Sequence, residues 1–77
     1  MNTYNVTVEH NNQTKTINAR DGIECLKALV AEDRAAYEGD LTYILLHRVG
    51  AGITVRYAVR CDKGQTPKIE LIGLVPK

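Results

Sequence analysis

Two cysteines and two histidines are the residues of this 77-residue chain with the most chemical reach. A Cys61 thiol beside His47 would make a nucleophile and its base. The strand pattern described below places both on one face of a sheet, with Cys61 opposite Leu41 and His47 opposite Val55. They then stand near opposite ends of their strands, beyond the hydrogen-bond reach such a pair needs. Cys25 and His10 complete the set without the spacing of a zinc knuckle, and no run of carboxylates resembles a calcium loop. Gly50-Ala51-Gly52 joins two strands and opens no helix, so it offers no phosphate cradle. The chain is therefore expected to hold no catalytic residue, no metal and no cofactor, and not to be an enzyme.

Three arginines, Arg48, Arg56 and Arg60, are the next candidates. Arginines sharing a sheet face hold phosphates or line a protein interface. Net charge is only +1, which gives no long-range field toward nucleic acid or an anionic membrane. Hydrophobic residues at 44% and charged residues at 25% are those of an ordinary globular domain. The length predicts one domain spanning residues 1–77. The first residues show no basic start and apolar run, and no apolar stretch is long enough to cross a membrane. Two cysteines far apart in sequence read as reduced thiols, and a cytoplasmic location is expected.

The elements follow from periodicity. Tyr4, Val6 and Val8 alternate with polar residues in a first strand, Tyr4–Glu9. Asn11-Asn12 suits a tight turn that pairs His10 with Gln13, Val6 with Ile17 and Tyr4 with Ala19. Asp21 caps a helix, with Glu24 three residues later. Ile23, Leu26, Leu29 and Val30 form its apolar stripe. Asp33 falls on that stripe, so the helix is expected to end there. A loose turn at Ala35–Tyr37 follows, and Gly39 closes the segment.

Three strands complete the chain: Leu41–Val49, Ile53–Cys61 and Lys68–Val75. A three-residue Gly-Ala-Gly loop pairs Val49 with Ile53, Leu45 with Tyr57 and Ile44 with Ala58. Opposite charges select a last hairpin with Arg60 facing Glu70 and Asp62 facing Lys68. The prediction is an α+β fold of order ββαβββ, a single five-stranded antiparallel sheet with one helix on one face. The preferred strand order is 2-1-3-4-5, with 2-1-5-4-3 as the alternative.

In that pairing one face carries Ile44, Leu46, Ala58, Ile72 and Leu74, and the other carries Leu41, Tyr43, Leu45 and Tyr57. One helix cannot cover both. The exposed set is expected to bind a partner, with Ile44, Leu46, Ile72 and Leu74 as anchors and Arg48, Arg56 and Arg60 as the rim. With the tyrosines on the other face, a protein partner fits better than nucleic acid, which uses aromatic stacking. The alternatives are a small RNA- or DNA-binding protein using the three arginines, and a homodimer that buries the patch against itself.

The hairpin leading into Asp21, Ile23, Glu24, Leu26, Lys27, Ala28 and Val30 resembles the β-grasp, or ubiquitin-like, pattern over about thirty residues. The C-terminal meander departs from it, and Val75-Pro76-Lys77 lacks the diglycine of conjugation. In size and motif-free architecture the chain also looks like small phage proteins that block host defence, the anti-CRISPR proteins among them. That likeness implies action by occupancy of a defence effector's surface.

Overall fold

Five strands and one helix are seen in a computed structural model that describes residues 1–75. The strands are β1 (Asn2–Val8), β2 (Gln13–Ala19), β3 (Thr42–Arg48), β4 (Thr54–Arg60) and β5 (Lys68–Val75). The helix α1 (Gly22–Glu32) follows β2, and a 3₁₀ turn, Arg34–Tyr37, follows the helix. All strand pairs are antiparallel, in the order β2-β1-β3-β4-β5. This is the expected α+β architecture and the preferred strand order.

The helix starts where its cap dictates. Asp21 is extended, and its carboxylate accepts the Glu24 amide at 2.9 Å. It ends at Asp33, whose amide returns to the Val30 carbonyl. Cys25, Leu26, Leu29 and Val30 are buried against the sheet. Ile23 is 41% exposed, so the stripe is rotated from the expected one and takes in Cys25 instead. A Cβ added at Gly22 would meet the tip of the buried Leu46 side chain at 2.8 Å, so a larger residue there would have to push Leu46 aside.

The β1–β2 hairpin is offset two residues from the expected pairing. Tyr4 faces Ile17 and Thr7 faces Thr14. The polar face explains the choice, because it gains three hydrogen bonds: Thr7 with Thr14 (3.1 Å), Thr16 to Asn5 (3.1 Å) and Thr3 to Asn18 (2.8 Å). The loop lengthens to Glu9–Asn12, and only Asn12 takes a positive φ, 57°. A two-residue offset keeps every side chain on its own face.

The β3–β4 hairpin differs by one residue, which does not. Ile44 faces Tyr57 and Leu45 faces Arg56, where the sequence suggested Tyr57 opposite Leu45. The connection uses positive φ at both Gly50 and Gly52, with Ala51 donating to the Arg48 carbonyl. Thr42, Ile44 and Leu46 thereby turn under the helix, and Leu41, Tyr43, Leu45 and His47 turn away from it. The Tyr43 and His47 tips are polar, and the open face lets them reach water.

The last hairpin also departs from expectation: Arg60 faces Lys68, and Glu70 faces Ala58. Two like charges are tolerated because Asp62 lies between them, 3.2 Å from Arg60 and 3.7 Å from Lys68. Arg34, from the 3₁₀ turn, donates to the Asp62 carbonyl at 2.9 Å and to the Gln65 carbonyl, tying the loop to the helix side. Ile72 is an extra residue in β5, a bulge that leaves Leu71 opposite Tyr57 and Gly73 opposite Arg56.

The core joins Tyr4, Val6 and Val8 of β1, Ile44 and Leu46 of β3, Val59 and Cys61 from β4 and its end, and the four buried helix residues. Leu26 is fully buried at its centre. Leu26→Ala should destabilise the fold by about 2–5 kcal/mol, through lost transfer free energy and the cavity left behind. Urea denaturation measures it directly.

Cys25 gives a second handle on the core. Burial pushes its thiol up from 9.0 to about 11. The neutral thiol is the form the fold accepts, so its contribution is complete below the unfolded value of 9.0 and is lost as pH rises toward about 11. Burial raises the Tyr57 and Tyr37 hydroxyls in the same direction. Stability measured across that alkaline window should fall more steeply for the parent than for Cys25→Ala.

Candidate functional site

The face of the sheet away from the helix has no covering element among the described residues. Its β1–β2 half is polar, with Asn5, Thr7, Thr14 and Thr16 engaged in the pairs above. Its other half carries Leu41, Tyr43, Leu45 and His47 from β3 and the residue before it. Arg56, Ala58 and Arg60 come from β4. Leu41 is 52% exposed, while Tyr43 and Leu45 are half-buried by their neighbours.

The exchange of faces in β3 corrects the expected site. Ile44 and Leu46 are 0% and 4% exposed and belong to the core, so they cannot anchor a partner. Tyr43 and Leu45 occupy the surface positions assigned to them. Arg48 lies on the helix-side row opposite Tyr4, not beside Arg56. Leu74 is exposed but pairs with Val55 on the helix side. Arg56 and Arg60 stand on the outer face as expected, and Ile72 is exposed at the bulge. The signal that identifies Tyr43 and Leu45 was in the sequence: both alternate with Ile44 and Leu46, and His47 continues their row with a polar tip.

Arg56 organises this surface. Its guanidinium lies 4.1 Å from the centre of the Tyr43 ring and is held by the Glu9 carboxylate at 2.8 Å. Glu9 is in place because its amide continues the β1–β3 ladder by donating to the Tyr43 carbonyl. A cation over an aromatic face and a carboxylate at its edge fix the arginine flat on the sheet. Beside this triad is a hollow of about 440 Å³, bordered by Glu9, His10, Asp40, Leu41, Tyr43 and Arg56. The surface is thus apolar along β3, rigid at Arg56 and concave at one end.

Its arginines and its lysine are paired within the chain. Arg56 is paired with Glu9, and Arg60 and Lys68 share Asp62. His47 is on this outer face, where its Nδ1 lies 3.2 Å from the Thr54 hydroxyl. Cys61 is fully buried on the helix side, bridged to the return segment at Glu38. The sheet itself therefore separates the thiol from the imidazole, which corrects the expectation that they share a face. Cys25 and Cys61 are both free and buried. No group of three His, Cys, Asp or Glu side chains among the described residues is placed to hold a metal ion. Among the described residues no helix is long and apolar enough to cross a membrane. Comparison of the chain with protein-family models, with curated proteins and with solved structures gave no match.

Adjacent residues of β3 should respond oppositely to the same substitution. Ile44→Glu buries a charge without a partner and should cost several kcal/mol, enough to unfold a domain of this size. Leu45→Glu places a carboxylate opposite Arg56 and should change stability by about 1 kcal/mol or less. Thermal denaturation of the two variants side by side reads the face of β3 directly.

Proposed function

We propose that this protein is a non-enzymatic binding domain that acts by occupying the surface of a protein partner. The observation that carries the reading is the outer row of Leu41, Tyr43 and Leu45, set beside the Arg56–Glu9 pair and the hollow next to it. Tyrosine and arginine are the residue types enriched in protein-binding hot spots, and here Tyr43 and a preordered Arg56 sit among apolar neighbours that exclude water. An arginine already fixed on Tyr43 loses little conformational freedom on binding, which favours affinity. The inhibitor form of this reading, a small domain that covers a working surface of a host-defence effector, follows from size and motif-free architecture.

Nucleic acid is the competing occupant. Tyr43 lies on the arginine face, which supplies the aromatic side chain that a single-strand reader needs. Its ring, however, carries Arg56, and Arg56 is neutralised by Glu9. A surface whose cations are already paired has few charges left to release counterions from phosphates.

The test is a comparative capture. Immobilised parent, Leu45→Glu and Arg56→Ala proteins are exposed to the same lysate with and without nuclease treatment, with folding checked by circular dichroism. The expected result is one protein retained by the parent, lost with Leu45→Glu and reduced with Arg56→Ala. Equal retention by all three defeats the outer-face reading. Binding that disappears with nuclease and weakens steeply with salt assigns the face to nucleic acid instead.

A further inference from the structure

We infer that the free edge of β5 pairs with β5 of a second copy of this chain, forming a two-fold symmetric dimer. In the sheet β5 is outermost and bonded only to β4. Its large apolar side chains are exposed: Leu71 is 63% exposed and Leu74 71%. An apolar edge with unpaired backbone groups is a template for another strand. The identity of that strand is argued from two features that one symmetry axis satisfies together.

The first is charge. Antiparallel pairing about an axis perpendicular to the sheet keeps each side chain on its own face, so only same-face registers are allowed. Centring on Ile69 sets Lys68 against Glu70 of the second copy, twice. Centring on Glu70 sets two glutamates together, which is unfavourable. Centring on Leu71 carries the ladder across the Ile72 bulge, where regular pairing breaks. Within its own chain Glu70 faces Ala58 and forms no ion pair among the described residues.

The second feature is shape. In the Ile69-centred register Leu71 of one copy stands opposite Pro67 of the other. Leu71 is on the helix side, since it pairs with Tyr57. On the helix side at Pro67 is a mostly apolar hollow of about 270 Å³, lined by Val30, Ala31, Lys27, Arg34, Thr66 and Pro67. The exposed leucine of each copy therefore meets the apolar hollow of the other. Arg34 builds that hollow's wall through its hydrogen bonds to the Asp62 and Gln65 carbonyls. The opposite sheet edge, β2, presents exposed Gln13, Thr14, Lys15 and Thr16, so nothing comparable extends the assembly past two.

Sedimentation velocity across a wide concentration range tests this. The parent should show a reversible monomer–dimer equilibrium. Lys68→Glu and Glu70→Lys should each weaken it about tenfold or more, because both symmetry-related pairs become repulsive. An equimolar mixture of these two variants should dimerise again, since every facing pair is then opposite in charge. Leu71→Asp should abolish association while the circular dichroism melt stays close to the parent's. Leu45→Glu, on the other face, should leave the dimer unchanged, which separates this inference from the outer-face reading. A parent that stays monomeric to near-millimolar concentration overturns the inference. So does a dimer indifferent to Leu71→Asp, or a mixture that fails to recover.

Discussion

One short helix must serve five strands, and most of the molecule's surface chemistry follows from that mismatch. An α-helix with its side chains is about 10–12 Å across, while strands are spaced about 4.8 Å apart. A single helix therefore shelters roughly two or three strands. Here the buried residues of α1 share one core with Val6 and Val8 of β1, Ile44 and Leu46 of β3 and Val59 of β4. The opposite face is left open, and on the helix side of β5 Ile69 reaches the core while Leu71 and Leu74 stay exposed. Apolar side chains in both places are the surplus that one helix cannot cover.

The division is set at β3. This strand is apolar on both sides, so hydrophobicity alone does not orient it. The polar tips of Tyr43 and His47 decide, together with a β3–β4 turn that spends positive φ on two glycines. Once Ile44 and Leu46 point inward, Tyr43 presents its ring to Arg56, and Glu9 is drawn in to hold the guanidinium. The far end of the sheet is secured differently. Asp62 holds Arg60 and Lys68 together, and Arg34 holds the loop. That clamp lets β5 start opposite a like charge while its own apolar residues stay exposed.

These two mechanisms explain what was legible in the sequence. Element order, the Asp21 cap and the stop at Asp33 are local, and alternation and capping chemistry reveal them; strand order is not, because β3 and β5 both carry apolar residues on both faces and leave 2-1-5-4-3 open. Register depends on turn length, which Asn11-Asn12 and Gly50-Ala51-Gly52 leave open. At β1–β2 the error was two residues and harmless to face assignment. At β3–β4 it was one residue, and a one-residue slip exchanges every side chain of the strand. The sequence-based register therefore puts Ile44 and Leu46 on the surface that Tyr43 and Leu45 occupy. The Arg60–Glu70 pairing failed for another reason. Opposite charges facing across strands are worth little when exposed, and an intervening Asp62 supplies the same compensation. Arg34's reach to the loop spans 28 residues of sequence, and no local pattern announces it.

The two surfaces bear a fixed geometric relation. Pairing β5 edge to edge keeps the sheets continuous, with the symmetry axis perpendicular to them. Both outer faces then look the same way, apart from the sheet's twist. A dimer so built presents Tyr43, Leu45 and Arg56 twice on one side, and both helices on the other. Binding at one copy raises the effective concentration of the second for any target that repeats its surface or is itself two-fold symmetric. A weak edge contact and a modest hot spot would thus reinforce each other. Neither needs to be large, which suits a chain whose core is already limited to what one helix can cover.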